Sequence, residues 1–161
     1  MTIAEPAASL QTTKPIADKK GTVMTSATTA APFTRIPTTP SDLEALSKRL
    51  TGELITVDRP EFEEARKVHD ITVDRRPMAI VRAANAQDVA EAVRFAREHD
   101  YPLSVRSGGH SVPLLSMIDG AVVADLSAMK GIRIDPEQRT ARVQAGATSG
   151  DLAGPAHAYG L

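Results

Sequence analysis

Residues 78–106, MAIVRAANAQDVAEAVRFAREHDYPLSVR, restrict the fold more than any other stretch of the chain. The run Met78–Ala84 is short and apolar, which is typical of a buried strand, and Asn85 favours the start of a helix. Apolar residues then recur on one helical face, namely Val89, Ala92, Val93 and Ala96. Because Pro102 ends this helix and Leu103–Arg106 is again strand-like, the sequence predicts a parallel, right-handed strand–helix–strand unit.

Shorter elements are expected before this unit. Ser41–Leu50 begins with Ser41 as a helix cap and Glu44 three residues later, which predicts a short helix that opens with a capping box. The segment EFEEARKVH, residues 61–69, predicts a second short helix after Pro60.

Strands and a weak helix are expected after the unit. The dipeptide Asp119-Gly120 predicts a turn and Ala121–Leu126 a strand. The segments GIRID and TARVQAG alternate apolar and polar residues around PEQR, which predicts a hairpin with one buried face. From Thr148 the chain is weakly helical, and we expect Gly154-Pro155 to interrupt this helix and no cap to close it.

Composition limits the classes of function. The chain has 161 residues, of which 42% are hydrophobic, so it fits one globular domain. A net charge of -1 provides no basic field for nucleic acid or an anionic membrane, and no apolar run approaches the ~20 residues of a membrane helix. The absence of cysteine excludes disulfides, thiolate metal sites and a cysteine nucleophile. We therefore expect neither nucleic acid nor a membrane as a partner.

The first forty residues differ from the rest. They are rich in Thr, Ala, Pro and Ser, show no hydrophobic period and lack the apolar core of a secretory signal. The sequence therefore predicts a disordered segment at residues 1–40, an ordered domain at residues 41–161 and a cytoplasmic location.

The hexapeptide RSGGHS follows the second strand of the unit, at the edge where open α/β sheets bind ligands. Gly108 and Gly109 allow backbone N–H groups to converge on an anion, Arg106 adds a permanent charge, and Ser107 and Ser111 add hydroxyl donors. This set suits a pyrophosphate, although an ordinary glycine turn has the same pattern. The chain has neither a GxGxxG nor a GxxxxGK[ST] motif.

Three interpretations of His110 remain open from the residues alone. It is a loop residue without a task, a metal ligand, or a nucleophile that joins a cofactor covalently. The four histidines show no ligand spacing, so no metal site is predicted, and no catalytic residue is assigned. Other polar residues are expected to be structural: Asp119, Asp125 and Asp135 in turns or caps, Arg75 and Arg76 on the surface, Gly146 and Asp151 in a turn.

Two long segments carry a family resemblance. DRRPMAIVRAANAQDVAEAVRFAREHDYPLSVRSGGHS and DGAVVADLSAMKGIRIDPEQRTARVQAGATSGDL run in the order of the FAD-linked oxidases. The stretch from about Leu50 to Leu161 resembles the N-terminal half of their FAD-binding domain, in the berberine-bridge-enzyme-like and 6-hydroxynicotine-oxidase-like branch of the vanillyl-alcohol-oxidase (PCMH-type) superfamily. The resemblance implies an α+β fold of α/β type, with a small mixed sheet and flanking helices.

The resemblance also implies a cofactor and an activity. Residues Arg106, Ser107, Gly108, Gly109, His110 and Ser111 would bind FAD, with His110 as the covalent attachment point. The whole family member would oxidise a small-molecule substrate, an alcohol, sugar or amine, and pass the electrons to O2. The alternative is a truncated, non-catalytic fragment that binds FAD weakly or serves as an interaction module.

Overall fold

The computed structural model describes residues 38–111 and 115–161. Within them the chain forms four helices and six strands. In chain order these are α1 Pro40–Arg49, β1 Glu53–Thr56, α2 Phe62–Ala65, β2 Ala79–Arg82, α3 Ala86–Glu98, β3 Leu103–Arg106, β4 Val122–Asp125, β5 Ile132–Asp135, β6 Thr140–Val143 and α4 Ser149–His157. None of the described helices is long and apolar enough to cross a bilayer.

Four strands form one small mixed sheet in the order β1-β2-β4-β3. β1 is antiparallel to β2, whereas β4 lies parallel to both β2 and β3. The predicted parallel strand–helix–strand unit is therefore confirmed, but its two strands are not neighbours, because β4 lies between them. The small mixed sheet with flanking helices is also confirmed.

The two central strands, β2 and β4, are buried on both faces. On one face Val81, Val122 and Ala124 pack with residues of α1 and α3, among them Leu46 and Phe95. The other face has its own cluster, formed by Ile55, Phe62, Ala65, Ile80, Met117 and Val123. Burial on both faces explains why the sequences of β2 and β4 are mainly apolar and do not alternate.

The start of α3 is confirmed, whereas its predicted buried face is wrong in part. Asn85 caps the helix by accepting hydrogen bonds from the N–H groups of Gln87 and Asp88. Val93 is exposed, and the buried residues are Asp88, Glu91, Ala92, Phe95 and Ala96. The two acidic residues are buried because both have partners: Asp88 accepts backbone N–H groups, and Glu91 pairs with Arg49 at 3.0 Å.

The cap of α1 also differs from the prediction. Thr39, not Ser41, is the N-cap, and its partner three residues later is Asp42, not Glu44. Pro40 is the first helical residue, a position that suits proline because its missing N–H would have no helical partner. Residues 38–40 thus belong with the helix. Residues 1–37 lie outside the described residues, and their disorder stays a prediction.

The C-terminal hairpin and helix differ in part from the prediction. β5 and β6 form the predicted hairpin, but as a separate two-stranded sheet in which every residue of β6 is exposed, so the predicted buried face is wrong. α4 continues through Gly154-Pro155, so the predicted interruption is wrong. The helix is also closed: Gly160, at φ +67°, donates to His157 O and Leu161 donates to Ala156 O, which is a Schellman arrangement.

Replacing Ser104 with alanine is expected to raise the free energy of unfolding by roughly 1 kcal/mol, because a buried hydroxyl without a partner costs stability. The Ser104 side chain is buried in β3, and its Oγ has no hydrogen-bond partner among the described residues. Urea denaturation of both proteins measures the difference. A loss of stability on substitution would show that the hydroxyl has a partner in solution.

Candidate functional site

A cleft of about 770 Å³ opens where β3 ends. One wall is Val105 with the loop 107–111, and the other is residues 145–150, which join β6 to α4. Ser116, nearly buried, also lines it. The volume lies in the range of ligand pockets. The loop of the first wall was predicted from the sequence to bind a ligand, whereas the second wall was not predicted to be part of a site.

The backbone of the first wall requires glycine at one position. Gly109 has φ +73°, and its carbonyl oxygen accepts a hydrogen bond from the N–H of His69 at 3.2 Å. A Cβ atom at Gly109 would lie 3.4 Å from both the backbone N of His69 and the Cα of Val68. A side chain there would therefore be strained by the backbone angle, although its Cβ atom would make only ordinary van der Waals contacts with the segment that supports the loop.

His110 lies on the cleft with an exposed side chain. Its ring contacts the ring of His69, with 4.1 Å between the centroids and 31° between the planes. Ser111 also lines the cleft, and its Oγ accepts a hydrogen bond from the N–H of Leu115 at 3.2 Å. The structure thus places Ser107–Ser111 together on the cleft, as the sequence predicted for a single loop.

Arg106 is held differently from the other five predicted residues. Its guanidinium donates to the carbonyl oxygens of Ala65 and Lys67, the latter at 2.8 Å, and to the carboxylate of Asp125 at 3.2 Å. The side chain is only 14% exposed, and it is not among the described residues that line the cleft. The charge expected to face a ligand is therefore paired inside the protein.

The second wall depends on a close backbone approach. Gly146 is buried, and its N–H donates to the carbonyl oxygen of Met129 at 2.9 Å. A Cβ atom there would lie only 1.9 Å from the carbonyl oxygen of Leu126, so no other residue fits without a backbone shift. Gly146 is structural, as predicted, and it also brings residues 147–150 to the cleft.

The N-terminus of α4 borders the cleft. Thr148 caps the helix by accepting from the N–H of Asp151, whose carboxylate in turn accepts from the backbone N–H and the hydroxyl of Thr148, both at 2.8 Å. A helix N-terminus offers free N–H groups and a partial positive charge to anions. Asp151 thus has the structural role expected for it. The sequence AGATSGD carries this signal, a run of small residues with Thr148 and Asp151 spaced as a capping box.

Acid is expected to weaken this cap between about pH 4 and pH 2. Hydrogen bonds from the backbone N–H of Thr148, then from its hydroxyl and from Lys130, lower the pKa of Asp151 from 3.8 to about 2. Because the pKa is depressed in the folded state, the ionised cap stabilises the fold above pH 3.8 and loses this effect as the pH falls towards 2. The contribution of the carboxylate is measured by comparing the free energy of unfolding at pH 4 and near pH 2, in the wild type and in Asp151→Asn. An identical loss of stability in both proteins would refute the expectation.

The donor set of the cleft suits an anion. Besides Val105 and His110, the residues that line it are glycines, alanines and the hydroxyl-bearing Ser107, Ser111, Ser116, Thr148 and Ser149, and none of the described lining residues is acidic. Backbone N–H groups, hydroxyls and a helix N-terminus together bind phosphate oxygens in many proteins. The residues present therefore fit a diphosphate.

The remaining polar residues have structural partners. Asp119 accepts from the N–H of Arg76 and from Arg75, and Asp135 accepts from the N–H of Gln138 in the hairpin turn. Asp125 is more than a turn residue, since it is fully buried and pairs with Arg106. Arg75 and Arg76 are both half-exposed, as expected, and Arg76 also pairs with Glu63.

Comparison with known proteins identifies the family. Residues 77–161 match the family model described as FAD binding domain. The FAD-linked oxidoreductase YgaK of Bacillus subtilis is 36% identical over 113 residues, 70% of this chain and 25% of YgaK. Berberine bridge enzyme-like 9 of Arabidopsis thaliana is 41% identical over 81 residues, 48% of this chain and 15% of that protein.

A solved structure agrees with these matches. The crystal structure of 6-hydroxy-D-nicotine oxidase from Arthrobacter nicotinovorans superposes with a TM-score of 0.66 and 38% identity, over 69% of this chain and 24% of that one. The chain spans about a quarter of the length of such relatives. The matches confirm the resemblance and FAD as the cofactor. The chain therefore belongs to the FAD binding domain family, and its relatives are FAD-linked oxidoreductases of the berberine-bridge-enzyme-like and 6-hydroxynicotine-oxidase-like kind.

Proposed function

We propose that the cleft binds the diphosphate of FAD between the loop Ser107–Ser111 and residues 146–150. The observation that supports this most strongly is the meeting of two small-residue loops at one cleft, one of which leads into the N-terminus of α4. Gly108 and Gly109 let backbone N–H groups approach the anion without side-chain obstruction. The hydroxyls of Ser107 and Ser149 add donors whose protons can rotate toward phosphate oxygens.

The same proposal gives His110 the role of flavin attachment. Its ring lines the cleft and is exposed, so a cofactor bound there has access to an imidazole nitrogen. His69 limits the orientations open to that ring, because the two rings are in contact. When bound, the flavin would accept a hydride from the substrate and be reoxidised by O2. The chain would thus be the flavin-binding part of an oxidase whose donor is the C–H of an alcohol, sugar or amine.

Fluorescence titration of the 161-residue chain with FAD tests the site. We expect weak, mainly non-covalent binding that ADP competes for, because ADP carries the same diphosphate. Gly109→Ala should weaken binding, whereas Gly154→Ala, in α4 and outside the described residues that line the cleft, should leave it unchanged. Equal affinity in the wild type and Gly109→Ala, or no competition by ADP, would contradict the proposal.

Denaturing gels test the attachment. Flavin fluorescence that stays with the protein would report covalent FAD, and it should disappear in His110→Ala but persist in His157→Ala, a histidine on α4 away from the cleft lining. Fluorescence that persists in His110→Ala would assign the attachment to another residue.

A second candidate is a non-catalytic flavin-binding or interaction module. β3 is an edge strand of the described sheet, and its Leu103 and Val105 are exposed, which favours a surface that another polypeptide covers. We expect the 161-residue chain with FAD to oxidise no substrate, since His110, which the proposal assigns to flavin attachment, is the one ionisable side chain among the described residues that line the cleft. A peroxide assay across alcohols, sugars and amines tests this. Steady H2O2 production that requires His110 would favour the oxidase.

A further inference from the structure

We propose that Arg106 is a positioning residue, which shapes the flavin loop through Asp125 and the end of α2 and does not contact the diphosphate. This inference rests on the proposed function of the cleft. Its basis is that the guanidinium donates inside the protein to two carbonyl oxygens and one carboxylate, while the side chain is only 14% exposed and is not among the described residues that line the cleft.

Asp125 fixes one end of this arrangement. It is fully buried at the end of β4, in register with Arg106 on β3 and Arg82 on β2. Its carboxylate lies 3.2 Å from Arg106 and 3.7 Å from Arg82, and it accepts the N–H of Ser127 at 3.0 Å. The hydrogen bond from Ser127 and the charge of Arg82 fix the carboxylate of Asp125, which in turn holds the Arg106 side chain in place.

The end of α2 is the second anchor. The carbonyl oxygens of Ala65 and Lys67 belong to its last turn and to the residues that follow, where helices leave carbonyl groups unpaired. Two residues after Lys67, the N–H of His69 donates to the carbonyl oxygen of Gly109 at 3.2 Å. Arg106 thus holds residues 65–69 in place, and His69 of this segment supports Gly109 in the loop Ser107–Ser111.

A direct contact with phosphate would break this arrangement. Because the Arg106 side chain does not line the cleft, its guanidinium would have to move away from Asp125 to reach a phosphate there, and a fully buried carboxylate that loses a charged partner destabilises the fold. It would also leave the carbonyl oxygens of Ala65 and Lys67 without a donor. The loop would lose its support at the moment it receives the ligand, which argues for an indirect role.

The substitution Arg106→Lys distinguishes direct contact with phosphate from positioning of the loop. Lysine keeps the positive charge but lacks the branched guanidinium that reaches three acceptors. We expect Arg106→Lys and Asp125→Asn each to weaken FAD binding roughly tenfold, the effect of one charge-assisted hydrogen bond. The double variant should be no weaker than either single one, since both act through one contact. Arg97→Lys, on the exposed side of α3, is the control.

One readout does not depend on flavin affinity. In the free chain, hydrogen exchange at the His69 amide should speed up in both variants but not in the control. A second readout needs no variant that must fold: at concentrations of FAD or ADP that saturate the fluorescence titration, the Nε–H resonance of Arg106 in the wild type should keep its shift. If FAD does not bind but exchange at His69 responds, the proposed function fails and the positioning role stands.

Any one of three results would overturn the inference. The first is full FAD affinity in Arg106→Lys, and the second is unchanged affinity and unchanged His69 exchange in Asp125→Asn. The third is a shift of the Arg106 resonance on addition of ADP, as expected for a guanidinium that binds phosphate.

Discussion

Replacing Gly146 with alanine is expected to reduce the FAD affinity of the chain by at least roughly tenfold and to destabilise it by about 3 kcal/mol, at the upper end for an overpacked site. The added Cβ atom would lie 1.9 Å from the carbonyl oxygen of Leu126 and 2.9 Å from that of Met129. Both neighbours are backbone atoms, so no side chain can rotate to relieve the overlap. Residues 147–150 must therefore move, and they form the second wall of the cleft.

The matched control is Gly154→Ala in α4, where a Cβ atom would meet nothing within 4 Å. This change should leave FAD affinity intact and alter stability little, because the better helix propensity of alanine is offset by its contact with the ring of Pro155. Urea denaturation and FAD fluorescence titration of the three proteins measure both effects. A Gly146→Ala protein that binds FAD like the wild type would show that the second wall does not take part in binding.

The sequence predicted the parts of the site that are encoded locally. The loop of Ser107–Ser111 is continuous, and the residues before it form β3 as predicted. Asn85 was found as a helix cap because the signal needs only neighbouring residues. The second wall was not predicted as part of a site, because β3 and the start of α4 are more than forty residues apart and only tertiary structure brings them together.

The role of Arg106 shows a different limit. In sequence it adjoins Ser107 and the glycines, which suggests a shared ligand. In the structure its backbone leads into the loop while its side chain reaches α2 and Asp125, forty-one and nineteen residues away in sequence. The buried face of α3 was predicted only in part for a similar reason. It includes Asp88 and Glu91, and a hydrophobic periodicity gives no weight to acidic residues.

Asp88→Ala is expected to lower the free energy of unfolding by about 3 kcal/mol or more, because it leaves several buried backbone donors without a partner. The fully buried carboxylate accepts the N–H groups of Thr51, Gly52 and Ala84 at 2.8, 3.0 and 2.8 Å. It thereby joins α3 to the turn before β1 and to the end of β2. Gly52 permits this approach, since a Cβ atom there would lie 2.0 Å from the carbonyl oxygen of Arg82.

The same residue predicts a pH dependence of stability. Burial by itself would raise the pKa of Asp88, but the hydrogen bonds from the backbone N–H groups, that of Thr51 foremost, outweigh burial and lower it. A depressed pKa in the folded state means that the carboxylate stabilises the fold above about pH 4 and loses this effect as the pH falls further. Urea denaturation across this range should therefore show a steeper loss of stability in the wild type than in Asp88→Ala.

The control for the substitution at neutral pH is Asp58→Ala. Asp58 is an exposed carboxylate that pairs with the hydroxyl of Thr56, so its loss should cost far less stability. Equal losses at positions 58 and 88 would show that the buried carboxylate does not hold these segments together.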